Sequence, residues 1–334
     1  MNPRHRRLLI PGLLIALLVV VVIASLAGKA DAATDGPQRV STLDDPRINE
    51  SSGLVLSIDD ADRAYTINDS GSAPIVYALD VPSGRTVGTT RVDADLVDTE
   101  ALSIDTEGTL WIADTGDNRS TRTDAALYSL PAAEQGSSAA AVTRYPVTYP
   151  GGPIDVEALA VDPRTGDKFL ISKGLFGGTV FSLPDPLVAD QPNEAVALKG
   201  EVPGLVTDAA FAKDGRHVVA RTYTSAYLLD PATWDSVMSI DVPSLEQGET
   251  LATEPSGRSF LVGSEGADSP LVRVSYSPPA PAPEPTASVA AVQPPVAARE
   301  QAAGGTGFPG ATWFWALVVV GLLTAIGAAA TRRS

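Results

Sequence analysis

The sequence contains no cysteine. That single absence excludes a disulfide scaffold, thiolate zinc sites, iron–sulfur ligation and cysteine nucleophiles. Histidine is nearly as scarce: His5 lies close to the start, leaving His217 as the one imidazole of the central region. His217 stands beside an Asp214-Gly215-Arg216 turn, and no G-x-S-x-G presents a serine, so a Ser-His-Asp site is not expected. No Walker or dinucleotide glycine motif occurs either. Positive charge is in short supply, with 24 Lys and Arg against 40 Asp and Glu. Setting aside Arg4, Arg6, Arg7, Lys29, Arg332, Arg333 and Asp31 leaves 18 basic against 39 acidic residues, a net charge of −21. Such a field repels nucleic acid and anionic lipid and attracts cations.

What is present begins with two apolar ends. Residues 1–32 read as an export signal: a basic start at Arg4, Arg6 and Arg7, an apolar run from Leu8 to Leu26, and a small-x-small site at Ala30-Asp31-Ala32. Cleavage makes it a signal peptide and retention makes it an anchor; both put the following chain outside. At the other end, residues 311–330 carry no charge over the length a helix needs to cross a bilayer. Trp313, Phe314 and Trp315 mark the outer edge of this expected transmembrane helix. Arg332 and Arg333, in the tail 331–334, mark its cytoplasmic end. No LPxTG precedes it, so the helix itself is the expected anchor of a single-pass cell-membrane protein. Residues 278–310 are rich in Pro, Ala and Gly and read as an extended stalk.

Residues 33–277 remain for one domain, enough to bury a core without disulfides. They are repetitive. Five segments share an acidic residue, an apolar strand, an Asp/Gly turn, a second apolar strand and a polar cluster, beginning at Glu50, Glu100, Glu157, Asp208 and Glu249. That spacing is in the range of propeller blades. Each repeat continues into a third strand (IVYALD, ALYSLP, TVFSLP, SAYLLD, LVRVSY), and the first four into a fourth. Short β-branched and aromatic runs between Pro, Gly and Asp turns argue all-β. The last repeat stops after three strands, and Gln38–Leu43, ahead of the first, can supply the missing one. The expectation is a five-bladed β-propeller whose ring is closed by an N-terminal strand.

Four motifs carry a resemblance: Asn68-Asp69-Ser70-Gly71, Asp98-Thr99-Glu100-Ala101-Leu102, Ala113-Asp114-Thr115-Gly116-Asp117-Asn118 and Asp155-Val156-Glu157-Ala158-Leu159. With them the chain resembles a group of bacterial secreted β-propeller proteins, distantly similar to phytase-like propellers. Thr99 replaces an aromatic of that pattern. The resemblance implies the fold; the group has no common activity to carry over.

Five-fold repetition would gather the acids that open each repeat around the channel axis. Asp98, Glu100, Asp114, Asp155 and Glu157 are the candidate metal ligands, their hard oxygen donors suiting Ca²⁺ rather than Zn²⁺. Asn68, Asp69, Lys173, Arg221 and Glu265, after the second strands, are candidate ligand-binding residues. Lys173 and Arg221, taken as corresponding strand ends, would grip a phosphate or carboxylate or pair with the acids. Phe176 and Tyr223 offer faces for a sugar ring, whereas Trp111, in mid-strand, reads as core. The competing role for each acid is to hold a turn by accepting backbone amides. Two functions follow: a surface binding module for an extracellular small molecule, carbohydrate or peptide, or a metal-assisted or acid–base hydrolase of phosphate esters or glycosides.

Overall fold

The computed structural model describes residues 36–132 and 135–279; the expected export signal, transmembrane helix and most of the stalk lie outside them. Every regular element among the described residues is a β-strand. After β1 (Gln38–Thr42), blade 1 comprises β2 (Ser51–Leu56), β3 (Arg63–Asn68), β4 (Ile75–Asp80) and β5 (Arg85–Val92). Blade 2 has β6 (Thr99–Ile104), β7 (Thr109–Asp114), β8 (Ala126–Pro131) and β10 (Thr143–Thr148). Blade 3 has β11 (Val156–Val161), β12 (Lys168–Ser172), β13 (Val180–Ser182) and the two-residue β15 (Val196–Ala197). Blade 4 has β16 (Val206–Phe211), β17 (Val218–Thr222), β18 (Ser225–Leu229) and β19 (Ser236–Asp241). Blade 5 has β20 (Thr250–Thr253), β21 (Ser259–Gly263) and β22 (Pro270–Ser275).

The innermost strands β2, β6, β11, β16 and β20 contact one another in that order, and β20 returns to β2. The ring is therefore five-bladed. β1 completes blade 5 by pairing antiparallel with β22, Gln38 opposite Arg273 and Thr42 opposite Pro270. Joining the first strand to the last covers an edge that would otherwise expose unpaired backbone groups. Two further strands have no counterpart in the repeat pattern. β9 (Gly136–Ala140) adds parallel to β5, and β14 (Asn193–Glu194) adds parallel to β10, each bridging from a later blade to cover the preceding one.

The core is divided among the blade interfaces. Leu54, Leu56 and Leu79 of blade 1 meet Ala252, Leu261 and Leu271 of blade 5. The opposite face of blade 1, with Tyr65 and Ile67, meets Leu102, Leu110 and Ile112 of blade 2. Equivalent layers lie between blades 2 and 3, 3 and 4, and 4 and 5. Because successive side chains on a strand point to opposite faces, each inner strand feeds two interfaces and reads as almost continuously apolar. Trp111 is core as expected, 7% exposed and packed on Tyr145.

Candidate functional site: an acidic channel mouth

The geometry of the mouth follows from the hairpin register. At the far end of each inner strand an amide bonds back across the hairpin: Ser57 to Arg63, Asp105 to Thr109, Asp162 to Asp167, Ala212 to His217 and Glu254 to Ser259. Counting back from these fixed points, the equivalent inner positions are Ser52, Glu100, Glu157, Thr207 and Glu249. The ladder skips a residue here, between Thr99 and Ala101, Val156 and Ala158, and Val206 and Asp208, so a β-bulge turns this side chain out of the ladder. In blade 1 the shift spans Ser51 to Leu54 and includes Gly53, at φ 90°, whose Cβ would overlap the Leu102 backbone. Only glycine is accommodated there.

This corrects the sequence alignment in two places. Asp208 is not equivalent to Glu100 and Glu157: it lies one residue further along, and a one-residue offset turns a side chain to the other face. Asp208 is fully buried. Its carboxylate accepts the Leu251 amide of blade 5 at 2.6 Å and the Ala209 amide at 2.8 Å. Glu50 likewise lies two positions early, in a ring with Asp98, Asp155, Leu205 and Gln247. The second correction concerns Arg221. Ser172 pairs with Val156 and Thr222 with Val206, so the counterpart of Lys173 is Tyr223. Arg221 points inward, 0% exposed, and its Nη1 donates to the carbonyls of Thr250 (2.5 Å) and Gly263 (2.6 Å). It ties blade 4 to blade 5 and offers no grip to a ligand at the mouth.

Asp69, Gly116, Lys173, Tyr223 and Glu265 thus share one ring above the inner one. Amides of Asp69, Lys173 and Glu265 bond to the carbonyls of Glu50, Asp155 and Gln247, which holds these residues at the rim. Within the rings, two sets of oxygens converge. Asp69, Asp98 and Glu100 each offer a carboxylate oxygen within 4.8 Å of the others, and Glu100, Asp155 and Glu157 do the same. Glu100 belongs to both. Gly116 makes the approach possible: a Cβ there would collide with Glu100 Oε1 and lie 2.6 Å from Asp98 Oδ2.

Not every acid named from the sequence is available. Asp114 accepts the Asp98 amide at 2.8 Å and the Val97 amide at 3.2 Å, and pairs with Arg122 at 2.9 Å. It anchors the loop and belongs to neither oxygen set. Asp155 Oδ1 accepts the Asp117 amide at 2.7 Å. Asn68 is buried, its Nδ2 donating to the Arg47 carbonyl at 2.7 Å. Phe176 is 97% exposed, in the loop that follows Lys173.

Electrostatically the mouth is under-compensated. Its inner cation is Lys173, whose Nζ lies 2.8 Å from Glu157 Oε1 and 5.3 Å from the Tyr223 ring centre. Burial pulls its ammonium down, but Glu157 and Tyr223 outweigh this and hold it well above the usual lysine value. Burial pushes Glu100 far above the carboxylate range, reinforced by the charges of Glu157, Asp69 and Asp98. Glu157 is raised by burial against the opposing pull of Lys173. Burial lifts Asp69 to about 6, with Asp98, Glu249 and Glu50 adding to it. Glu265 is raised by burial and by its hydrogen bond with Glu249. Desolvated like charges favour the protonated form unless a cation replaces the proton.

No family profile and no curated protein matches this sequence. Solved structures that align include a luciferin-regenerating enzyme (TM-score 0.45, 11% identity, 72% of this chain and 94% of that one). The glutaminyl cyclase of Myxococcus xanthus aligns with TM-score 0.47 and 18% identity over 72% of this chain and 97% of that one. A gluconolactonase of Xanthomonas campestris aligns with TM-score 0.43 and 14% identity over 67% and 72%. At these identities and overlaps nothing about activity transfers, and the five-bladed assignment rests on the sheet order itself.

Proposed function

We propose that the chain is a surface-tethered binding module whose acidic mouth takes a divalent cation of the Ca²⁺ type, and through it an extracellular small molecule, carbohydrate or peptide. The observation that carries this is the convergence of Asp69, Asp98 and Glu100 oxygens within 4.8 Å of one another. The donors are all hard oxygens, the chemistry Ca²⁺ prefers. Of the two oxygen sets this one fits a cation better, because Glu157 in the other already pairs with Lys173. The exposed Phe176 beside Lys173 supplies an apolar face at the same mouth.

The cation is tested by thermal denaturation of the propeller, residues 33–281, with and without Ca²⁺. At a hundredfold excess over Kd, binding to the folded state alone adds about 2.7 kcal/mol. For a domain of this size that raises Tm by about 5–10 °C. The Glu100→Gln variant gives a distinctive signature: its cation-free Tm rises at neutral pH, because folding no longer has to force a proton onto a carboxyl that is ionised in the unfolded chain, while the Ca²⁺ response disappears. A flat response of the wild-type chain to Ca²⁺, Mg²⁺ and Mn²⁺ sinks the metal assignment.

The tether rests on the apolar residues 311–330 and on Arg332 and Arg333. Cells expressing the full chain should retain it in the membrane fraction through high-salt washing, and a chain ending at Pro281 should leave it. Retention of the shortened chain refutes a single C-terminal anchor. One observation favours the hydrolase: Glu157, a carboxyl raised toward neutrality, hydrogen-bonds to Lys173 in the manner of an acid–base pair. Turnover of phosphate esters or glycosides that is lost in Glu157→Gln would replace the binding assignment with catalysis.

A further inference from the structure

The inner strands run from the acidic mouth to a second opening of different character. There a cavity of about 560 Å³ lies where the strands leave the axis. The same register that defines the acidic rings defines its wall. One residue beyond the hairpin amides, the equivalent positions are Ile58, Thr106, Pro163, Lys213 and Pro255, and all five line the cavity. Four are uncharged and Ile104 adds a further apolar side chain. The fifth, Lys213, breaks the symmetry.

Lys213 is partly buried and makes no hydrogen bond or ion pair with the described residues. Two acids also line the cavity and neither neutralises it. Asp105 is fully engaged, accepting the amides of Glu107 (3.0 Å) and Thr109 (2.9 Å) and the Trp111 indole Nε1–H (2.9 Å). Asp59 is exposed to solvent at the rim. Burial alone displaces the Lys213 ammonium, and downward, with no charge opposing it. An ammonium in an apolar cavity costs free energy unless it meets an anion. In a chain with so large an excess of acids, a lysine left without a carboxylate is notable for its position.

We propose that this second opening is a binding site for an amphipathic monocarboxylate, with its apolar body against Ile58, Ile104, Pro163 and Pro255 and its carboxylate on Lys213. The cavity has the volume of a small-ligand pocket; more of its surface is apolar than polar, Ser57 and Thr106 add hydroxyls, and Lys213 is its one cation. A cationic ligand is disfavoured by Lys213, and a fully polar one by the ring. The site is independent of the acidic mouth, which lies at the other end of the inner strands.

The test is calorimetric titration of 2-naphthoate into the full chain held in lipid nanodiscs, with empty nanodiscs as the blank. Naphthoate should bind in a one-to-one ratio, and naphthylmethylammonium, with the same body and the opposite charge, should bind at least about tenfold more weakly. Lys213→Met should weaken naphthoate by about tenfold or more, while Lys213→Arg keeps most of the affinity. Glu100→Gln should leave naphthoate binding unchanged. No binding above the blank, equal binding of the two probes, or an undiminished Lys213→Met affinity each overturns the proposal. Should Lys213→Met fail to fold, site-resolved acetylation of the wild-type chain decides it. Naphthoate must slow modification of Lys213 and leave Lys199 unaffected; equal rates at Lys213 with and without naphthoate refute the site.

Discussion

Replacing Asp69 by Asn isolates the electrostatic cost of the mouth. The side-chain carbonyl of Asn can still accept the Ser70 amide that Asp69 holds, so the rim turn survives and only the titrating charge is lost. Burial and the neighbouring acids lift the Asp69 carboxyl from 3.8 to about 6 in the folded protein. A raised carboxyl stabilises the fold below the unfolded value and loses that contribution as pH rises through the folded one. The loss therefore falls between about pH 4 and 6. A displacement of this size is worth about 3 kcal/mol in a dry setting, and screening at this partly open side chain reduces it to about 1–2 kcal/mol. In a domain of this size that is roughly 3–6 °C in Tm. The measurement is the Tm difference between Asp69→Asn and wild type, without divalent cations, from pH 4 to 7. The variant should gain on the wild type by that amount as pH rises. The other raised carboxyls add a pH dependence of the same sign to both proteins and largely cancel. Asp45, held at about 2 by Arg47, acts with the opposite sign and below this window. Saturating Ca²⁺ should reverse the order, because the wild type then has a ligand that the variant has lost. A difference that stays constant or shrinks from pH 4 to 7 refutes the desolvated-carboxylate account.

Gly116→Ala places a methyl group against Glu100 Oε1 and Asp98 Oδ2, and overpacking of this kind costs about 1–3 kcal/mol. Tm should fall and the Ca²⁺ response weaken together; a variant unchanged in both would mean that the carboxylates do not converge as described. Arg221→Met strips the buried Thr250 and Gly263 carbonyls of the charged donor they share. Removing one member of such a buried charged network costs about 3–5 kcal/mol, so Tm should drop by about 6–15 °C with the Ca²⁺ response intact. A stable Arg221→Met variant that loses ligand binding would instead make Arg221 the ligand grip first expected of it.

The five-fold repetition, the strand pattern and the closing strand Gln38–Thr42 were legible in the sequence because each is written in local periodicity: apolar runs, turn residues, and one strand too few at the end. So was the gathering of Glu100 and Glu157, with the neighbouring Asp98 and Asp155, around the axis, since repeats of similar length bring similar positions together; how near Asp69 and Lys173 come to them depends on strand lengths that the sequence leaves open. The bulges were not legible. A single extra residue changes neither composition nor repeat spacing, yet it turns Glu100 and Glu157 into the mouth while Asp208, one place later, faces the blade interface. The outer strands β9 and β14 escaped notice for a related reason. Gly136–Ala140 and Asn193–Glu194 have little strand character of their own, and only the exposed edge of the preceding blade makes strands of them. The apolar opening around Lys213 belongs to the same class. Ile58, Thr106, Pro163, Lys213 and Pro255 share no residue type that marks a repeat, and closure of the ring alone makes them one wall. Sequence determined which residues alternate and how many times; tertiary structure decided which way each faces, because direction on a strand has a period of two and one bulged residue inverts it.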